Sequence, residues 1–325
     1  MKAKKALPWL LFAVAFAAAM TFATFYDYGI SVRVAVLENG AYLSPSAFGR
    51  FFETVGEHAL YLVGATAAGV LFYFCVGLAN KPLRWIFSLL CFALAVLAYD
   101  LMITRSAKYV VGHLGKESAY QSVKGLFEGI ALGFSFLLAA LTVLLEGKIP
   151  AGTRGKLFGY GLTVIFTVIL SQIVVQTIKI PIGRQRFRAI YVLTENGLAA
   201  EARYTRWYVI NGARQASEAM RALGLTSDAF KSCPSGHTCS AGTVFALCTI
   251  PGFLGMEGKK KKMVTAALWI FAFGYTALVG YSRMVMGAHF LSDVLLGGTL
   301  TLLASRISLI LAEKIVKTLA KRKKM

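Results

Sequence analysis

Acidic residues are scarce. The 325-residue chain holds 15 Asp and Glu against 35 Lys and Arg, a formal net charge of +20. No dense cluster of carboxylates accompanies its other polar groups, so a two-metal hydrolytic centre is not expected. Cysteine is sparse as well. Cys75, Cys91 and Cys248 lie in apolar runs and read as small core residues. Cys233 and Cys239 flank His237 with no further Cys or His nearby. Zinc wants a fuller ligand set at a recognisable spacing, so no metal and no cofactor is expected. A Cys233–Cys239 bridge is left as the lesser alternative.

What the chain has in abundance is apolar sequence: 57% hydrophobic residues and a mean hydropathy of +0.63. Several runs approach or exceed the length that crosses ~30 Å of hydrocarbon. The expected class is an all-α, polytopic transmembrane bundle of about eight spans. They fall near 8–25, 59–78, 85–102, 125–145, 157–178, 238–256, 264–281 and 290–311. The apolar core of the first is long for a cleaved signal and its small-residue site is poor, so retention is the favoured reading.

Basic residues concentrate in the short loops at 80–84, 147–156 and 259–262 and at the C-terminus. The positive-inside rule and anionic headgroups explain that pattern without nucleic acid. Eight spans place both termini and all these loops in the cytoplasm. The expected location is then a membrane, a bacterial inner membrane, with Lys179, Arg186, His237, Arg283 and His289 at one outer boundary.

Three stretches carry the chemistry. They are Lys179-Ile-Pro-Ile-Gly183-Arg184-Gln-Arg186-Phe187, then Pro234-Ser235-Gly236-His237, then Ser282-Arg283 followed by His289 and Asp293. Phosphoryl transfer is chiefly a matter of positioning and of stabilising charge on phosphate oxygens. Lys179, Arg186 and Arg283 offer cations, and the arginines offer planar donors that suit phosphate. The Ser235 hydroxyl and the backbone around Gly236 can approach an anion closely. If His289 and Asp293 lie on one helix, their four-residue spacing lets the carboxylate orient the ring.

These stretches resemble the three-part signature of the type 2 phosphatidic acid phosphatase superfamily, whose helical core is shared with vanadium haloperoxidases. The family's pattern is Lys, then Arg-Pro; Pro-Ser-Gly-His; and Ser-Arg, His, Asp. The second and third segments match at every defining position, whereas Phe187 stands where the family usually has Pro. Altered loop geometry with retained phosphate binding is expected there. The resemblance covers about 157–311 and implies His289 as nucleophile, Asp293 as its orienting group and His237 as the acid. It also implies Lys179, Arg186, Ser235, Gly236 and Arg283 as phosphate ligands.

Arg184 is read either as a further phosphate ligand or as an interface anchor. Arg188 reads as surface. His58 and His113 read as ordinary external residues without matching partners, and Asp27, Asp100 and Glu128 as structural pairing partners or, as the lesser alternative, contacts to the substrate headgroup. The domain division expected is a four-span region, 1–150, then a catalytic core, 151–325, with an external lid at 187–233. Deleting part of Tyr204–Arg221 is expected to change substrate choice and spare hydrolysis of a small phosphate ester.

The resulting expectation is a membrane phosphatase acting on a lipid phosphate or pyrophosphate, of the undecaprenyl pyrophosphate, phosphatidylglycerophosphate or phosphatidate class. Its partners are that substrate and membrane lipids, with no nucleic acid; the residues are silent on oligomeric state. A phosphotransferase using the same histidine is the alternative. A lipid transporter or binder is the weaker one, since it needs no intact nucleophile and acid.

Overall fold

The structure, a computed structural model, describes residues 2–36 and 46–322. Part of the external segment expected at 31–58, together with the last three residues of the basic terminus, lies outside them. The chain runs through α1 (Lys2–Ala35), α2 (Ala47–Val55), α3 (His58–Val76), α4 (Lys81–Leu114), α5 (Glu117–Gly147) and α6 (Ala151–Ile182). It continues through α7 (Phe187–Glu195), α8 (Glu218–Ala222), α9 (Gly236–Ala241), α10 (Ile250–Phe253), α11 (Gly258–Val285) and α12 (Leu291–Arg322). There is no strand among the described residues, as an all-α transmembrane bundle requires.

Among the described residues, seven helical stretches are long and apolar enough to cross a membrane, from Leu7–Ala35 to Leu291–Lys321. The long helices carry large apolar side chains on open surface, among them Leu126 at 70% and Leu144 at 66% exposure. Such a face needs lipid, and the chain is an integral membrane protein. The sixth expected span, 238–256, is where reading and structure part. Residues 236–253 form α9, a 3₁₀ stretch at Gly242–Thr249, and α10, not one α-helix. Pro251 has no N–H to donate back to Leu247, which interrupts the α ladder there. A side chain at Gly242 would approach Thr301 Cβ to 2.9 Å, so only glycine allows that packing.

Two compact units form. One comprises Glu53–Gln172, Cys239–Ala277 and Leu300–Met325. Within it α3, α4 and α5 meet through small residues, Ala65, Ala68, Ala95 and Ala139, which let helices approach closely without a hydrophobic drive. Tyr99 and Thr142 pair at 2.7 Å beside them. Asn80 caps α4 by accepting from Leu83 N, and Gly115, at φ 61°, ends it. The two histidines read as partnerless are not so. His58 Nε2 lies 2.7 Å from Ser106 Oγ, and His113 Nε2 lies 2.8 Å from Glu53. Glu128 pairs with Lys124 at 3.8 Å and lines an open cleft with Asp100.

The other unit comprises Met1–Phe52, Ile173–Thr238 and Leu278–Thr299, and gathers all three motif segments together with α1. Phe187 opens α7, at the position where proline is also favoured, so either residue suits the backbone. Its ring is buried with Ala35, Ile190 and Phe290, which is what a proline could not supply. The segment after α7 has its own core of Ala189, Leu193, Ala216, Met220, Ala229 and Phe230. Deleting Tyr204–Arg221 would remove Met220 from that core and Thr205 from the network described below. It would therefore test folding, not selectivity. Exposed Tyr208 and Ile210 are the positions that can be changed without touching either.

Candidate active site

The first motif leaves α6 through Gly183, whose φ is 53°. A Cβ there would lie 2.0 Å from the Gly212 carbonyl oxygen, and Gly212 N donates to Pro181 O at 2.8 Å. Gly183→Ala should therefore lower stability by about 2 kcal/mol or more, from a left-handed backbone plus a clash with backbone oxygen. An unshifted thermal midpoint in detergent would contradict this.

Past that turn, Arg184 is fully buried. Its Nε donates to Thr205 O at 2.8 Å, and Nη1 donates to Ser292 Oγ at 2.8 Å and to Asp293 Oδ1 at 2.6 Å. Its Nη2 donates to Asp27 Oδ2 at 3.0 Å, and the guanidinium lies 4.1 Å over the Phe290 ring. The expected role as phosphate ligand or interface anchor gives way to a structural one, because carboxylates already engage both of its terminal nitrogens.

Asp27, from α1, completes this network. It accepts from Ser292 N at 2.9 Å and from the Ser292 hydroxyl, satisfying an amide in the first turn of α12. Asp293 acts as a reciprocal cap, accepting from Phe290 N at 2.9 Å. It also accepts from Ser232 Oγ at 2.5 Å.

His289 stands just before α12 begins and does not share a helical face with Asp293. Its Nδ1 is 4.0 Å from Asp293 Oδ2, beyond hydrogen-bond range, and 2.5 Å from the carbonyl oxygen of Ser232. A carbonyl only accepts, so Nδ1 carries the proton and Nε2 keeps the lone pair. Ser232 thus orients the ring, and Asp293 acts through Ser232. That backbone acceptor carries no side-chain signature by which sequence could have found it.

The second motif docks on the same helix start. Ser235 N donates to Asp293 O at 3.0 Å, so this amide is turned to the protein and not to an anion. Ser235 Oγ accepts from Thr238 N at 3.3 Å and Thr238 Oγ1 at 2.9 Å, which leaves its own proton to donate. A Cβ on Gly236 would lie 3.3 Å from Lys179 Nζ, so the glycine lets the first motif's lysine close on the second motif. Arg186 is held by Asp228, which sequence reasoning missed: Nε donates to Asp228 O and Nη2 to Oδ1, both at 2.9 Å.

Charges converge on His289, which is 1% exposed. Burial first, then Arg186, Lys179, Arg283 and His237, push its pKa well below the ordinary value, so the ring stays neutral into acid. Each cation penalises the protonated ring. Lys179→Met should therefore raise the His289 pKa and move the acid limb of kcat/KM to higher pH. A limb that stays in place or falls would contradict that coupling. Asp228 goes the other way. Burial would raise its pKa, but Arg186, Arg188, Lys179 and Lys231 outweigh that and hold it lowered.

All five cysteines are free thiols, so Cys233 and Cys239 form no bridge. Comparison with known proteins was informative at the family level. No curated protein and no solved structure matches the chain, so the expected likeness to vanadium haloperoxidases rests on family resemblance. The family model described as "PAP2 superfamily" matches residues 160–317. That span holds every motif residue named above, from Lys179 to Asp293, and the four helical stretches before it lie outside. Residues 160–317 of this chain thus match the PAP2, or type 2 phosphatidic acid phosphatase, superfamily.

Proposed function

We propose that this membrane protein hydrolyses a lipid phosphate or pyrophosphate through a phosphohistidine on His289. The observation that carries the reading is the Nδ1–H tied to the Ser232 carbonyl, which leaves the Nε2 lone pair for attack on a ring that Lys179, Arg186 and Arg283 help keep neutral. In this mechanism Nε2 attacks phosphorus while the cations take up charge on the equatorial oxygens. Gly236 and the Ser235 hydroxyl close the other side of the phosphate. His237 protonates the departing oxygen, then takes a proton from the water that releases phosphate.

Counting the broken stretch 236–253 as a crossing keeps both termini on the cytoplasmic side and sets this chemistry at the extracytoplasmic face of a bacterial inner membrane. Substrate then enters from the outer leaflet, past the segment 187–233, which acts as a lid. Transfer to an acceptor other than water would use the same residues, and no observation favours it. The test is release of inorganic phosphate by the purified protein from a panel of lipid phosphates and diphosphates in detergent. Release from at least one of them supports the reading. Binding of these lipids without release would place the chain among lipid binders or transporters.

A further inference from the structure

We propose that Arg188, joined to Arg186 through the two carboxylate oxygens of Asp228, is a second phosphate-binding point, so that the preferred substrate is a lipid carrying two linked phosphates. This rests on the phosphatase reading and names its substrate class.

Asp228 Oδ1 accepts from Arg186 Nη2 at 2.9 Å, and Oδ2 accepts from Arg188 Nη2 at 3.2 Å. One carboxylate therefore sets two guanidinium groups side by side. They differ in depth: the side chain of Arg186 is 8% exposed and that of Arg188 is 32% exposed. Arg188 is also anchored at its backbone, where its N–H donates to Gly287 O at 2.8 Å, in the loop between Arg283 and His289. The second arginine thus lies beside the reacting loop, but outward of the first. Lys231 N donates to Asp228 O at 3.1 Å, which brings a further basic residue to the same turn.

Lys179, Arg186 and Arg283 are enough for a single phosphate. Arg188 lies outward of these three, and an arginine reachable from outside suits a second, bidentate phosphate contact. Nε2 of His289 bonds to the terminal phosphorus as the bond from that phosphorus to the bridging oxygen breaks. The bridging oxygen leaves with the lipid-linked phosphate, which Arg188 holds, and takes the proton of His237. Water then adds its oxygen to the terminal phosphorus, gives a proton back to His237, and the N–P bond pair returns to Nε2. The products are inorganic phosphate and a lipid monophosphate.

The experiment compares kcat/KM of the purified full chain for a prenyl diphosphate and a prenyl monophosphate of equal chain length. Wild type, Arg188→Ala and Arg188→Gln are measured together. The diphosphate-to-monophosphate ratio should fall about 10- to 100-fold in both variants, the scale of one lost charge-assisted contact. An unchanged ratio, whether both substrates lose equally or neither does, overturns the proposal. Wild type that releases phosphate from neither substrate fails the phosphatase reading itself, which is a different result from an unchanged ratio.

Discussion

Arg184→Gln should lower stability by about 3–5 kcal/mol, the scale for stranding buried charge. Asp27 and Asp293 are both fully buried, and Arg184 lies 3.0 Å from one and 2.6 Å from the other. Glutamine retains one short amide in place of the planar fork, so it cannot bridge two carboxylates and Thr205 O together. Folded proteins have about 5–15 kcal/mol to lose in all, so a large fraction of the population should unfold or fail to accumulate. A phosphate ligand would behave otherwise, with KM rising while the thermal midpoint stayed in place. Adding Asp27→Asn to the Arg184→Gln background should restore part of the loss, because one of the stranded charges is gone. Additive losses would mean that the pair is not coupled.

His289→Ala should reduce turnover by at least about 10³-fold, roughly 4 kcal/mol of barrier, because no other group replaces the nucleophile. The ring also satisfies the Ser232 carbonyl, so some loss of stability, about 1–3 kcal/mol, accompanies the change. His289→Gln separates the two effects. Its amide can donate to that carbonyl, and it should recover stability without recovering turnover. Recovery of turnover in the glutamine variant would mean that residue 289 only binds.

The residues proposed to react were legible in the sequence because they cluster in short motifs whose spacing has chemical meaning. What it mislaid were partners supplied from far away or by backbone. Asp27 lies 157 positions before Arg184, and nothing local to either marks the pair. The Ser232 carbonyl is a group every residue has. Asp293 was expected to reach His289 by helical spacing, but α12 begins at Leu291, after the histidine, and the spacing rule holds only within a helix. Hydropathy found the apolar helices, yet treated 238–256 as one span because an average over residues does not register a 3₁₀ segment or a proline. Arg188 was read as surface and Asp228 was passed over because neither belongs to a motif.

The most direct test of the central claim is a rapid acid-free quench of the protein with a lipid substrate labelled with ³²P at the phosphorus under attack. The account predicts label on the wild-type chain, stable to base and lost in acid as phosphohistidine is, and none on His289→Ala. Full turnover with no protein-bound label in the wild type, or label that persists in His289→Ala, would contradict it.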